Sequence, residues 1–208
     1  LCEHLALDPG RSALERLARA DLREGRGARG RELLRRALDS APSGEAHRLG
    51  LRLAEARLDG GLPARAHATA ARWLSVGGLP GALRARLEMA AASSHFRRGQ
   101  DAQGEVHLRR GRAAGGGEAS ARAAYLLADR AHGSGDRDAA VARYRAAAES
   151  FPRTRHGGLA RMRLGFLALG ADRPADAASH FRAYRRHQPR GDWGSAALYW
   201  EGRARRDA

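Results

Sequence analysis

Near the start of the chain, Gly25-Arg26-Gly27-Ala28-Arg29-Gly30 has the G-x-G-x-x-G spacing that can wrap a pyrophosphate. That chemistry needs a strand before the loop and a helix after it. Here the helical run ARADLRE precedes it, so the segment reads as a Gly-rich connection between helices. Its two arginines could hold a phosphate only loosely. The chain contains no lysine, which excludes a P-loop. Nine histidines are scattered, and the tightest pair, His180 and His187, lies two helical turns apart. The one thiol, Cys2, is at the far terminus, and neither an H-E-x-x-H motif nor a Cys/His cluster exists, so no metal site is expected. No G-x-S-x-G elbow appears either. These residues give no catalytic, cofactor or metal site, and the chain alone is expected not to be an enzyme.

The elements that would carry any site are helical. Hydrophobic residues make up 43% of the chain but aromatics only 5%, so the core must be built largely from Ala and Leu. There is no Ile, and Val occurs only at Val76, Val106 and Val141, which argues against a sheet. All 38 basic residues are arginine, a choice that reads as the codon bias of a GC-rich genome. The balance of +15 is spread along the chain and would favour a polyanion such as nucleic acid, anionic lipid or cell-wall polymer; its bland alternative is a solvated surface.

No stretch is long and apolar enough to span a membrane, and no signal peptide is visible. The chain begins at Leu1 without Met, as an excerpted or trimmed piece would. Cys2 would fit a lipidated mature terminus only poorly, because Leu1 stands where a small residue is expected.

Gly and Pro breaks divide the chain into helical segments at 11–24, 28–40, 44–58, 63–75, 80–98, 100–113, 118–133, 137–150, 156–170, 174–187 and 194–206. Asp136 and Asp172 are placed to cap the helices that follow them. Residues 123–136 (AAYLLADRAHGSGD) and 159–172 (LARMRLGFLALGAD) say nearly the same thing at an offset of 36. Each is followed by a second run, ending at Pro152 and at Pro189. A third copy opens at Trp193 and stops half-way, which would leave an apolar face uncapped. A period in the mid-thirties built from two helices predicts an all-α solenoid of antiparallel helix pairs across 1–208, divergent over 1–117 and clear over 118–208.

The repeat resembles the tetratricopeptide (TPR) pattern. Leu164-Gly165, Ala177, Phe181, Tyr184 and Pro189 match one unit; Tyr125, Ala140, Tyr144, Ala147 and Pro152 match the preceding one, with Asp129 at the Gly position and one residue missing. The run Ala197-Leu198-Tyr199-Trp200-Glu201-Gly202-Arg203-Ala204 is similar to one in the non-catalytic superhelix of bacterial soluble lytic transglycosylases. That family carries its catalytic acid in a Glu-Ser motif. Glu149-Ser150 imitates it, but at the end of a repeat helix and without the Gly-Leu-Met-Gln-type segment that should follow.

The TPR resemblance implies that the first helix of each pair lines the concave face. On that face it places Leu126, Met162 and Tyr199 at one level and Arg130, Phe166 and Arg203 at the next. Apolar surface with arginine suits an extended peptide or a glycan–peptide strand, since Arg pairs bidentately with carboxylates and aromatics stack. The alternative is packing between repeats. The basic cluster Arg182, Arg185, Arg186 and His187 reads as an exposed helix end.

The resulting expectation is a non-catalytic scaffold of the bacterial envelope or periplasm that binds a protein partner or peptidoglycan, either free-standing or, as the second resemblance implies, as the superhelical part of a lytic transglycosylase. Alternatives are a cytoplasmic peptide-binding adaptor and, last, a nucleic-acid-binding repeat, for which few aromatics interleave with the arginines.

Overall fold

The computed structural model describes residues 10–208, apart from the side chain of Ser43. Cys2, and with it the expectation of a lipidated terminus, lies outside the described residues. Among these there are eleven α-helices and no strand. They are α1 (Arg11–Arg23), α2 (Gly27–Asp39), α3 (Ser43–Asp59), α4 (Pro63–Leu74), α5 (Gly81–Phe96) and α6 (Asp101–Ala113), followed by α7 (Glu118–Gly133), α8 (Arg137–Ser150), α9 (Arg155–Leu169), α10 (Pro174–His187) and α11 (Gly194–Arg206). The fold is an all-α solenoid of TPR-like helix pairs.

One turn recurs between the two helices of every pair. Gly25, Gly61, Gly99, Gly135 and Asp172 all have positive φ, and they stand 36, 38, 36 and 37 residues apart. At each, the following amide reaches back five residues along the helix, as in Arg26 to Asp21 (2.8 Å), Leu62 to Arg57 (2.8 Å) and Arg173 to Ala168 (3.0 Å). This is the Schellman arrangement, which satisfies the last free carbonyls of a helix and needs one left-handed residue. The repeat therefore runs through the first hundred residues too, where the side-chain pattern is weak. Asp172 is not the cap expected of it: it is the left-handed residue itself (φ 55°), and Arg173 precedes α10 without a side-chain cap. Asp136 does cap α8, accepting from the Ala139 amide at 3.0 Å.

By packing, the chain forms two compact units. The first comprises residues up to Leu79 together with Ala90–Gly104; the second comprises Pro80–Met89 and Glu105–Ala208. In the first unit, α1 packs on α2, α2 on α3 and α3 on α4. Its core joins Leu14, Ala18, Leu33, Leu34, Leu49 and Leu53. Gly50 of α3 admits the Trp73 ring of α4: a Cβ there would lie 1.9 Å from the indole nitrogen.

In the second unit each helix from α7 to α11 packs on the next, and α7 also packs on α9. Two alanine-rich cores succeed one another. Tyr144 plugs the α7–α8–α9 core and Phe181 the α9–α10–α11 core, both fully buried. Small residues let the helices close up, and one aromatic ring per pair fills the remaining groove. Arg161 is buried at the α8–α9 junction and has carbonyls, not a carboxylate, as partners. It donates to Ala148 at 2.7 Å and Pro152 at 3.0 Å, supplying the hydrogen bonds that the end of α8 lacks.

Candidate functional site

The register of the clear repeats is 37, not 36. Every buried residue of α7 (Ser120, Ala121, Ala123, Ala124, Leu127, Ala128, Ala131) has a buried counterpart in α9 37 positions on. The second helices keep the same interval, Ala140 with Ala177 and Tyr144 with Phe181. The offset of 36 thus misplaces α7 by one residue, which on a helix is a rotation of about 100°.

The correction changes the candidate surface. The counterpart of Met162 and Tyr199 is Tyr125, not Leu126; that of Phe166 and Arg203 is Asp129, not Arg130. The position of Gly165 is held in α7 by Ala128, not by Asp129. Leu126 is half-buried and Arg130 exposed, one step around the helix from the row assigned to them. Met162 is 3% exposed and belongs to the core beside Phe181 and Ala197, so it offers nothing to a ligand.

The structure brings together Phe166, Tyr199 and Arg203, with Trp200 as the residue that joins them. Phe166 of α9 and Trp200 of α11 meet edge to face at 5.3 Å, and Tyr199 meets Trp200 at the same distance. The guanidinium of Arg203 lies 5.4 Å from the centre of the Trp200 ring. Phe166 is 36% exposed and Tyr199 59%. The result is an aromatic strip with a cation stacked on it, carried by two neighbouring first helices.

At its α7 side the strip continues into polar groups. Arg163 Nε donates to the Tyr125 hydroxyl at 3.1 Å and the guanidinium stands 4.0 Å from Asp129. The hydrogen bond to Tyr125 holds the Arg163 pKa above its ordinary value, so this cation is permanent. Tyr144 donates to Asp129 at 2.8 Å, and burial followed by this bond pushes the phenol pKa far up, keeping it protonated. Tyr125, Asp129, Arg163 and Trp200 were missed as site residues; a register of 37 read from the two prolines would have found Tyr125 and Asp129.

α11 is held by Glu201, at the core position that Leu127 and Leu164 occupy in α7 and α9. Its carboxylate is 2% exposed and accepts from Arg182 (3.1 Å) and Arg185 (2.9 Å) of α10 and from Arg205. Burial pushes the carboxyl upward, but the hydrogen bonds from Arg185 and Arg182 and the charge of Arg205 outweigh it and hold it below the usual range. Arg182 and Arg185 of the cluster read as an exposed helix end are indeed exposed, and they also engage α11 through Glu201.

Arg26 Nε donates to the buried Asp21 at 2.6 Å and Arg29 Nε lies 3.2 Å from its second oxygen. Both cations of the G-x-G-x-x-G segment are thus turned onto a carboxylate, and the segment is the turn into α2 rather than a phosphate cradle. Glu149 is exposed in the last turn of α8. The first unit has its own groove of about 420 Å³ between α1, α2 and α3, where Glu15 and Arg52 pair at 2.8 Å above Leu22 and Leu34. No described helix is long and apolar enough to cross a membrane.

Helix pairs closed by one recurring Schellman turn, the last two plugged by Tyr144 and Phe181, define a TPR-like helical-repeat protein. Among solved structures the chain is similar to MamA: to one at a TM-score of 0.57 and 16% identity, covering 86% of this chain and 92% of that one, and to another at 0.56 and 17%, covering 83% and 94%. No protein-family profile matches the chain, and no curated protein matches it. At such identity the likeness is one of fold.

Proposed function

We propose that this chain is a non-catalytic scaffold that docks an extended protein segment on the face formed by α9 and α11. One observation carries the reading: exposed Phe166 and Tyr199 joined through half-buried Trp200, with Arg203 stacked on the Trp200 ring and Arg163 at the edge of the strip. Exposed aromatic rings beside arginines are the composition of binding hot spots rather than of an inert surface. A segment that alternates aliphatic or aromatic side chains with carboxylates would stack on the rings and pair with the guanidinium groups.

The bacterial envelope is the setting we infer, with peptidoglycan as a further ligand of the same face. The likeness of the Ala197–Ala204 run to the superhelix of lytic transglycosylases supports it, and Tyr199, Trp200 and Arg203 all belong to that run.

Isothermal titration with a synthetic peptide of alternating Glu and Leu tests the docking. Saturable binding that weakens at least tenfold in Tyr199→Ala/Arg203→Glu is expected. No saturation, or an unchanged double variant, would remove the site from this face. Co-sedimentation with murein sacculi at low salt tests the setting separately: protein left in the supernatant while the peptide still binds would discard peptidoglycan and keep the scaffold.

A further inference from the structure

Away from the strip, α8, α9 and α10 enclose a cavity of about 240 Å³ in the second unit. Its floor is aliphatic: Val141 from α8 and Leu164, Leu167 and Ala168 from α9. Its rim carries Arg145 of α8 with Arg173, Asp176 and His180 at the start of α10. Arg173 is committed to Asp176 at 3.7 Å. Arg145 has no hydrogen-bond or ion-pair partner among the described residues, and neither has His180. The cavity therefore joins an apolar floor to one uncommitted cation and one uncommitted imidazole.

The chemistry of the lining selects its occupant. A wholly apolar guest would leave Arg145 and His180 to water. A polyanion would meet Asp176 and would leave the aliphatic floor wet. A single carboxylate on a short aliphatic body satisfies both parts, the head on the guanidinium and the tail on Leu164 and Leu167. The volume is that of about eight water molecules, which bounds the guest at about eight heavy atoms. Burial, and then the charges of Arg145, Arg173 and Arg161 against that of Asp176, lower the His180 pKa, so near neutral pH the ring is an uncharged hydrogen-bond donor.

The geometry points to a second, small-molecule site here, for a free short-chain aliphatic monocarboxylate held by Arg145 and His180. It uses no residue of the aromatic strip and stands or falls apart from the docking reading.

Isothermal titration with sodium 4-methylpentanoate tests it, beside 4-methylpentanamide, which keeps the shape and loses the charge, and an acetylated tripeptide ending in leucine. One-to-one saturable binding of the free acid is expected, at least tenfold weaker for the amide and at least tenfold weaker in Arg145→Gln. Arg145 is exposed, so this variant should keep the wild-type melting curve. Binding of the peptide acid without the free acid would overturn the assignment, since the ligand would then be a chain terminus. No saturation, equal binding of the amide, or an unaffected Arg145→Gln would each overturn it as well.

Discussion

The hydroxyl of Tyr144 donates to Asp129 at 2.8 Å; one repeat later the same two positions hold Phe181 and Phe166, whose rings meet edge to face at 5.3 Å. The plug of each helix pair and the residue above it change together. Where the plug carries a hydroxyl, the neighbour is an acceptor; where it does not, the neighbour is a ring.

This pairing can be measured by a double-mutant cycle. Asp129→Ala leaves a buried phenol without its acceptor and should cost about 1–3 kcal/mol. Tyr144→Phe removes the donor and leaves a half-exposed carboxylate that water and Arg163 can satisfy, so it should cost about 0.5–1.5 kcal/mol. The double variant should be less destabilised than the sum by about 0.5 kcal/mol or more in urea unfolding. Strict additivity would show that the two side chains are not coupled.

Gly50→Ala sets two effects against each other. Alanine should gain up to about 1 kcal/mol in a helix interior. The added Cβ would fall 1.9 Å from the Trp73 indole nitrogen, which forces the ring out of its groove. Overpacking of this kind costs about 1–3 kcal/mol, so a net loss and a lower melting temperature are expected. A rise in stability would mean that Trp73 has room to move.

Glu201 should behave as an anchor for α11. Glu201→Ala leaves three arginines facing a void, but their side chains are 43–60% exposed and can be rehydrated, so the loss should be about 1–3 kcal/mol rather than that of a fully buried pair. Because leucine occupies this position in α7 and α9, Glu201→Leu should be better tolerated than Glu201→Ala. Hydrogen exchange over 194–206 reads this directly: faster exchange in Glu201→Ala than in Glu201→Leu is expected, and the reverse order would contradict the shared register.

Acidification should destabilise the fold through His180 and His187. Burial, then nearby arginines, lowers both below the ordinary 6.5. The unfolded chain then binds protons that the folded chain refuses, so stability is full above about pH 6.5 and declines as the pH falls below it. The melting temperature should drop between about pH 7 and pH 5, and His180→Gln/His187→Gln should flatten that slope. An unchanged slope in the double variant would assign the titration to other groups.

Much of the fold was legible in the sequence because helices are stopped locally. Glu118–Gly133, Arg137–Ser150, Pro174–His187 and Gly194–Arg206 form where Gly and Pro breaks and apolar spacing predict them. The buried faces of α8 and α10 were equally readable, since Ala140, Tyr144, Ala177 and Phe181 fall at helical spacing in one short run. The early repeats were not, because their common signal is a backbone conformation at Gly25, Gly61 and Gly99. Glycine is frequent enough in this chain, at 26 residues, to hide those three among the rest.

The candidate surface was legible only in part, for a geometric reason. An all-α chain of repeated helix pairs, and the aromatics that plug them, can be read directly from the residues, since both follow from periodicity within a few turns. Packing between helices set which row of each first helix faces outward, because one residue of offset turns α7 through about 100°. It also decided the partners of the charged groups. Arg26 and Arg29 fold back on Asp21, Arg182 and Arg185 reach Glu201, and Arg145 is left uncommitted over an aliphatic floor. A long flexible side chain chooses its partner by proximity in space, and that proximity is made by helices distant in sequence.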